Sequence, residues 1–291
     1  MKKIIILLPV YDDWESLEKV LNEISSHIQS IKNFVFSCII INDSSKIEKP
    51  KIKKPKNFNS LKIIHMKKNK GHARCNAFGL RYINQNEDHD YVIVMDSDGE
   101  DRPVEIKKLI EKIIENPDNS VVAKRIKRSE GPIFQSLYQI HKLISYIFTG
   151  KKSNFGNYSC LTKQDIKILS DKASLWSSFS GTVKKYIKDL NEVDSIRGLR
   201  YFGPSKMSLY NLLIHSFSII AVFKYTVFFR SFVMMIILFL LLKILGLKIF
   251  AYFQVLLLTF NFLILVVSFR ESEKALSESN KNIKDIEVIV H

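Results

Sequence analysis

Short apolar runs typical of buried strands alternate, over the first 125 or so residues, with segments of helical periodicity. The apolar runs span residues 3–8, 34–41, 61–65, 91–95 and 120–123. Helical spacing of apolar residues follows the first run, and further helices are predicted over 71–84 and from Pro103 to about residue 115. Unbroken apolar runs indicate strands covered on both faces. The pattern therefore predicts an α/β fold with a Rossmann-like, mostly parallel sheet.

Polar residues directly follow three of these predicted strands. The segments are Pro9-Val10-Tyr11, Asn42-Asp43-Ser44-Ser45 and Asp96-Ser97-Asp98. Ligands bind to open α/β sheets at the carboxyl ends of the strands. We therefore expect these three segments to form one ligand site.

Four carboxylates crowd into six residues after the fourth apolar run. Asp96, Asp98, Glu100 and Asp101 would repel one another unless water or a cation neutralises them. A lone Asp-x-Asp occurs by chance in many proteins, but here Asp96 closes a buried strand. Hard oxygen ligands in this number suit Mg²⁺ or Mn²⁺. We predict that Asp96, Asp98 and Glu100 bind one of these ions.

Charge and cysteine content narrow the class of partner. The formal net charge of +15 favours an anionic partner, such as nucleic acid, a phospholipid surface or a phosphorylated substrate. No nucleic-acid-binding motif is recognisable, so we expect no nucleic-acid partner. Cys38, Cys75 and Cys160 are odd in number and lack metal-site spacing, which indicates core packing in a reducing compartment.

The C-terminal third changes character at about residue 209. Residues 209–223 are apolar but too short to span a bilayer, so we expect an interfacial helix. Residues 226–247 and 249–269 are each long enough to span one, and Lys243, Gly246 and Lys248 mark a tight turn where the two segments meet. Basic residues flank the outer ends, which predicts that both ends face the cytoplasm: Lys224, Arg230, Arg270 and Lys274.

Several motifs together resemble family 2 glycosyltransferases of the GT-A fold. Within that family they are most like the dolichol- and polyprenyl-phosphate mannose and glucose synthases. The motifs are Pro9-Val10-Tyr11, Ile41-Asn42-Asp43-Ser44-Ser45, Asn69-Lys70-Gly71 with Asn76 and Gly79, Asp96-Ser97-Asp98-Gly99-Glu100 with Pro103, and Arg200-Tyr201-Phe202-Gly203-Pro204-Ser205-Lys206. The resemblance covers about residues 3–210 and implies a catalytic domain over 1–206, a juxtamembrane segment over 207–225, two membrane helices over 226–270 and a cytoplasmic tail over 271–291.

The resemblance also implies a role for individual residues. It assigns nucleotide-sugar binding to Pro9, Tyr11, Asp13, Ile41, Asn42, Asp96, Ser97, Asp98, Arg125, Arg200 and Lys206. It assigns catalytic roles to Asp98, Arg200 and Lys206, and metal binding to Asp96, Asp98 and Glu100. Two departures stand out: Asn42 replaces the commoner Asp, and the segment 154–159 replaces a stretch in which relatives carry an Asp followed by an Arg.

The implied activity is that of a membrane-anchored, inverting, metal-dependent hexosyltransferase of the cell envelope. An alcohol acceptor usually requires a carboxylate base, whereas a phosphate with a second pKa of about 6 arrives ionised. No base is evident outside the carboxylate cluster, which favours polyprenyl phosphate as the acceptor. Transfer to a hydroxyl of a lipid-linked glycan or surface polysaccharide stays open, as does an inactive nucleotide-sugar-binding membrane protein. The sugar, the base and association into a homo-oligomer are also left open.

Overall fold

The computed structural model describes residues 1–127, 132–152, 154–204 and 208–290. The described strands are β1 (Lys2–Val10), β2 (Phe34–Asn42), β3 (Ser60–Met66), β4 (Tyr91–Val94), β5 (Val121–Lys127), β6 (Phe155–Thr162), β7 (Asn191–Ile196) and β8 (Ile283–Ile289). The described helices are α1 (Trp14–Ile28), α2 (His72–Asn86), α3 (Ile106–Glu115), α4 (Pro132–Thr149), α5 (Lys163–Ser170), α6 (Phe179–Tyr186), α7 (Leu209–Ala221), α8 (Lys224–Leu245), α9 (Ile249–Ser268) and α10 (Glu273–Ser277).

The described strands form one mixed sheet in the order β7-β5-β6-β4-β1-β2-β3-β8. Its centre, β4-β1-β2-β3, is parallel, while β6 and β8 run antiparallel to their neighbours β4 and β3. Ile4 and Ile6 on one face of β1, and Ile5 and Leu7 on the other, are almost completely buried. The unbroken apolar run therefore indicated correctly a strand with helices on both sides. The predicted α/β fold with a mostly parallel sheet is confirmed.

Helices cover both faces of this sheet. α1 and α3 contribute to the core on one face, and α2, α5 and α6 contribute to the core on the other. α2 approaches β1 closely at Gly79, where an added Cβ would lie 2.5 Å from a methyl carbon of Leu7. Any larger residue at 79 would force the Leu7 side chain to shift.

α8 and α9 are long and apolar enough to cross a membrane. Their most apolar windows have mean hydropathies of 2.4 and 2.2, and little of either window is buried inside the protein. Gly246 ends α8 in the left-handed conformation (φ 65°), which permits the predicted tight turn before α9. These two helices match the two predicted spans closely.

α4 was not predicted from the sequence. Its described C-terminal half packs against α8 and α9, which together we call the hairpin. The ring centroids of Phe148 in α4 and Phe260 in α9 lie 4.3 Å apart. Arg230 of α8 donates a hydrogen bond to the carbonyl of Ile147 (2.8 Å), at the end of α4 where backbone carbonyls lack helical partners. α4 is thereby joined to the hairpin.

The segment expected to be a tail, 271–291, instead returns to the α/β domain over its described residues. Leu276 of α10 is 1% exposed in the core beside α2 and α6, and β8 pairs with the outer edge of β3. The β-branched residues of 283–290 form a strand, which covers an edge of the sheet that would otherwise offer unpaired backbone groups. The sheet therefore contains residues from both sides of the hairpin.

Candidate functional site

The candidate site lies where the carboxyl ends of β1, β2 and β4 meet. Parallel pairing places Val10 beside Asn42 and Leu7 beside Val94. The loop after β4 therefore begins next to the loops after β1 and β2. Ligands of open α/β sheets bind at this edge. The structure thus brings together the three segments that were expected to form one site.

Asp96, Asp98 and Glu100 form a carboxylate cluster in the loop after β4. One carboxylate oxygen from each lies within 4.8 Å of the others, and all three residues are half-buried. Burial, together with the charges of Asp96 and Glu100, raises the pKa of Asp98 to about 6. Such close anionic oxygens need a counter-charge and match the donor set of Mg²⁺ or Mn²⁺. The cluster fits a divalent metal ion.

Asp101, the fourth carboxylate of this loop, supports the cluster from beneath. Its Oδ2 accepts a hydrogen bond from the backbone N–H of Asp96 (3.0 Å), and its side chain is almost completely buried. Burial and the charge of Asp96 raise the pKa of Asp101 to about 7. Asp101 therefore holds the backbone at the point where the cluster begins.

Two side chains that sequence reasoning missed contact Asp96. The Nε2 of His72, at the start of α2, lies 2.9 Å from Asp96 Oδ1. Asn157 of β6 donates a hydrogen bond to the same oxygen (3.2 Å). Burial opposes ionisation of Asp96, yet the nearby charges of His72, Arg197 and Arg125 lower its pKa overall. The position of His72 directly after Asn69-Lys70-Gly71, at the edge of the sheet, is the one sequence signal that pointed to it.

Residues 197–204, which we call the basic loop, bring two guanidinium groups onto the cluster. Arg200 forms ion pairs with Asp98 (2.6 Å) and with Asp13. Arg197 forms an ion pair with Glu100. Charge-assisted contacts of this kind are among the strongest hydrogen bonds in proteins. Two of the cluster's carboxylates are therefore neutralised by arginines of one loop.

Backbone contacts also hold the basic loop against the loop after β4, residues 95–102, which we call the carboxylate loop. The N–H of Gly198 donates to the carbonyl of Glu100 (2.8 Å), and the N–H of Tyr201 donates to the carbonyl of Asp98 (2.9 Å). An added Cβ on Gly198 would lie 2.5 Å from the carbonyl oxygen of Gly99. Glycine is therefore required at 198 for the two loops to approach this closely.

The residues predicted to bind the nucleotide lie at the ends of β1, β2 and β4. The hydroxyl of Ser97 donates to the carbonyl of Pro9 (2.6 Å), which ties the carboxylate loop to β1. Pro9 faces Ile41 in the strand register, and Tyr11 follows half-buried. Asn42 ends β2 and is nearly buried. The structure brings this group together beside the carboxylate cluster.

Asp43 has a structural function that sequence reasoning did not assign. Its two carboxylate oxygens accept hydrogen bonds from the N–H groups of Lys70 (2.8 Å) and Gly71 (2.7 Å). The side chain is 3% exposed. Asp43 therefore fixes the loop that leads into α2.

Two further predicted residues have different outcomes. Arg125 lies beneath the cluster, with its Nη2 3.9 Å from Asp101 Oδ1, and it contributes to the positive potential at Asp96. Lys206 falls in 205–207, outside the described residues.

An apolar helix approaches the site from the hairpin side. His215 of α7 is half-buried and within electrostatic range of His72, Arg125 and His141, and of Asp96 in the cluster. Burial and the positive charges lower the pKa of His215 to about 4. α7 thus passes within electrostatic range of the site and ends at Ala221, three residues before α8 begins.

Comparison with known proteins gives a family and a fold. The model of the family described as "Glycosyl transferase family 2" matches residues 5–178. A search of curated proteins gave no significant match. The fold is similar to that of glucosyl-3-phosphoglycerate synthase from Mycobacterium tuberculosis in complex with Mn²⁺, uridine-diphosphate-glucose and phosphoglyceric acid. For that structure the TM-score is 0.53 and the identity 14%, over 78% of this chain and 80% of that chain.

A second solved structure gives the same result. Residues 1–349 of S. aureus TarS, in complex with UDP-GlcNAc, match with a TM-score of 0.51 and 14% identity, over 79% of this chain and 69% of that chain. At such identities the likeness shows the fold alone.

Proposed function

Because the chain belongs to glycosyl transferase family 2, we propose that it is a membrane-anchored, inverting hexosyltransferase that transfers a sugar from a nucleotide-sugar donor to polyprenyl phosphate. The observation that carries this proposal is the carboxylate cluster at the strand ends, with α7, which precedes the apolar hairpin, in electrostatic range of it through His215. A donor diphosphate would reach the cluster from the strand ends. A lipid-linked acceptor would reach it from the side of α7 and the hairpin.

Asp96, Asp98 and Glu100 would hold a Mg²⁺ or Mn²⁺ ion on the donor diphosphate. The ion would stabilise the negative charge that develops on the departing nucleoside diphosphate. The Mn²⁺ and uridine-diphosphate-glucose bound to the structurally similar synthase support this choice. The contacts of His72 and Asn157 would orient Asp96 for it, and the charge of His72 helps to keep Asp96 ionised.

The arginines of the basic loop would bind the donor phosphates. Arg197 and Arg200 pair with cluster carboxylates in this structure. Once those carboxylates bind a cation, the guanidinium groups are available to phosphate oxygens, which their planar fork can contact in pairs. Lys206 would add charge at the acceptor phosphate, and Arg125 would add long-range positive potential.

The base and ribose would lie against the ends of β1 and β2. We assign this role to Pro9, Tyr11, Asp13, Ile41 and Asn42. Ser97 would contact the donor on its diphosphate side. Asp13 would contact the ribose while it stays paired with Arg200. This pairing would couple the position of the nucleotide to the basic loop.

A phosphate acceptor agrees with the carboxylates present in the described site. Asp13 is paired with Arg200 and Asp101 lies beneath Asp96, so each already has a partner. A phosphate monoester needs no base, because its second pKa is about 6. Its oxygen would attack the anomeric carbon as the bond to the diphosphate breaks, which inverts that carbon.

Product analysis tests the proposal. The purified full chain in detergent is incubated with Mg²⁺, a panel of nucleotide sugars and polyprenyl phosphate, and the lipids are analysed by mass spectrometry. We expect one donor to yield a polyprenyl phosphate heavier by a hexosyl unit, and Asp98→Asn to yield none. Transfer only to a glycan hydroxyl would contradict the acceptor. Neither transfer nor donor binding with any sugar would contradict the activity itself.

A further inference from the structure

The C-terminal strand reaches the predicted nucleotide site through a chain of side-chain contacts. Asn42 of β2 and His65 of β3 face each other in the sheet register, and Asn42 Nδ2 lies 2.9 Å from His65 Nδ1. His65 Nε2 lies 3.3 Å from Glu287 Oε2 of β8. Glu287 follows the hairpin in the sequence, 222 residues beyond His65. One contact chain thus joins the nucleotide side to the strand that returns from the hairpin.

The hydrogen-bond chemistry of this chain has one consistent arrangement. Asn42 Oδ1 accepts the backbone N–H of Ser45 (3.0 Å), so the amide NH₂ faces His65. An NH₂ group only donates, so His65 Nδ1 acts as the acceptor and its proton is carried by Nε2. That N–H then points to a carboxylate oxygen of Glu287. Each contact fixes the orientation of the next.

We propose that His65 and Glu287 are positioning residues for the base of the donor nucleotide, acting through the amide of Asn42. This inference rests on the proposed function, which places Asn42 at the base. With the amide fixed, its second N–H and its remaining oxygen lone pair present a donor and an acceptor in a set order. Such a pair distinguishes bases by the order of acceptors and donors on their edges.

This arrangement also gives a reason for the amide at position 42. A carboxylate there could not donate to His65 Nδ1. The imidazole would then need a proton on Nδ1, either in place of the one on Nε2 or in addition to it. The amide donates to Nδ1 and leaves the Nε2–H for Glu287. The departure at 42 and the presence of His65 are therefore parts of one arrangement.

Nucleotide binding by single variants tests the proposal. The full chain in detergent is titrated with UDP and with GDP, each with Mg²⁺, by calorimetry. We expect Glu287→Ala to weaken binding of the preferred nucleotide about three- to tenfold, which is the effect of one hydrogen bond. The difference between the affinities for UDP and GDP should become smaller. Glu287→Gln keeps the size of the side chain and should change binding in the same direction by less. Asp118→Ala is the control, since Asp118 is an exposed carboxylate in the loop between α3 and β5.

A double-mutant cycle separates positioning from general support of the fold. In an Asn42→Ala background, Glu287→Ala should cause no further loss, because the group through which it acts is gone. An equal loss in both backgrounds, or no loss in either, would overturn the inference. Lys49→Gln removes the ion pair between Lys49 Nζ and Glu287 Oε1 (3.2 Å). It should leave the ratio of the UDP and GDP affinities unchanged. An unmutated chain that binds neither nucleotide, nor any other nucleoside diphosphate, would instead contradict the proposed function.

Discussion

At the scale of single residues, four neighbouring carboxylates have two different functions. Asp96, Asp98 and Glu100 turn toward one another, whereas Asp101 turns back to accept the N–H of Asp96. Burial, together with the repulsion within the cluster, raises the pKa of Asp98. The three oxygens match the donor set of a divalent metal ion.

Replacement of one ligand should remove metal binding. Asp98→Asn deletes a charge and an anionic oxygen, so we expect Mn²⁺ affinity and sugar transfer to fall on the order of 100-fold or more. Electron paramagnetic resonance of Mn²⁺ measures the first effect, and donor turnover measures the second. Asp194→Asn, at an exposed position on β7, is the control. Full turnover of the unmutated chain in EDTA would refute the metal assignment.

Arg200 should not be replaceable by lysine. Its guanidinium contacts Asp98 and Asp13 together, which one compact ammonium group cannot do with the same geometry. We expect Arg200→Lys to lower turnover about tenfold or more, the loss of one charge-assisted hydrogen bond. Arg81→Lys, at an ion pair with Asp171, is the matched control. Equal steady-state rates for Arg200→Lys and the unmutated chain would show that the planar guanidinium is not needed at position 200.

At the scale of elements, the basic loop is the part of the site whose position depends most on its neighbours. It follows β7, an edge strand, and its start is held by Glu105, which accepts hydrogen bonds from the Ser195 hydroxyl (2.6 Å) and the Ile196 N–H (3.1 Å). Its far part docks on the carboxylate loop through Gly198 and Tyr201. The loop is therefore supported at both ends of the segment that carries Arg197 and Arg200.

A methyl group at Gly198 should displace this loop. The new Cβ would meet the Gly99 carbonyl, and overpacking of this kind costs about 1–3 kcal/mol. We expect Gly198→Ala to weaken UDP binding and turnover together. Gly203→Ala is the control, because Gly203 also lies in the basic loop and no described residue lies within 4 Å of a Cβ added there, although its φ of 63° adds strain. Unchanged binding for Gly198→Ala, measured by calorimetry, would show that the docked loop is not required.

The sequence predicts the elements that are locally encoded and misses those that depend on distant partners. The five apolar strand runs, the hairpin and the acidic cluster were visible because burial on both faces, or in lipid, leaves a continuous pattern, and the predicted GT-A fold is confirmed. β6 and β7 mix polar with apolar residues, and β8 pairs with β3 only across about 220 residues of chain. The contacts of Asn157 and Arg197 depend on where β6 and β7 lie in the sheet, so no local pattern revealed them.

At the scale of the whole molecule, the hairpin is an insertion within the catalytic fold. α8 begins at Lys224, whose ammonium lies 2.7 Å from Glu271 just beyond α9, so both ends of the hairpin lie close together. β8 and Leu276 then complete the sheet and its core. The contiguous division into a catalytic domain, hairpin and tail is therefore incomplete, because the described C-terminal residues belong to the catalytic fold.

Removal of the C-terminal segment should cost more than removal of the hairpin. A chain ending at residue 206 exposes the edge of β3 and the site of Leu276; truncating one such side chain alone costs about 2–5 kcal/mol. A chain in which a short Gly-Ser linker replaces 225–269 keeps β8. We expect the second chain to unfold at a temperature at least several degrees higher, measured by circular dichroism. Coincident melting curves would show that β8 adds no stability.

The return of β8 also constrains how the hairpin can cross a membrane. β8 pairs with β3, so the chain before α8 and the chain after α9 must lie on the same side, with the Gly246 turn about 30 Å away, the thickness of a bilayer core. The three native cysteines are buried, so a membrane-impermeant maleimide should report only introduced thiols. In intact cells we expect Leu247→Cys to be labelled and Ser277→Cys to be labelled only after permeabilisation, because the flanking basic residues favour a cytoplasmic catalytic domain. Labelling at 277 alone would reverse the orientation, and protection of both positions until permeabilisation would show that the hairpin does not cross.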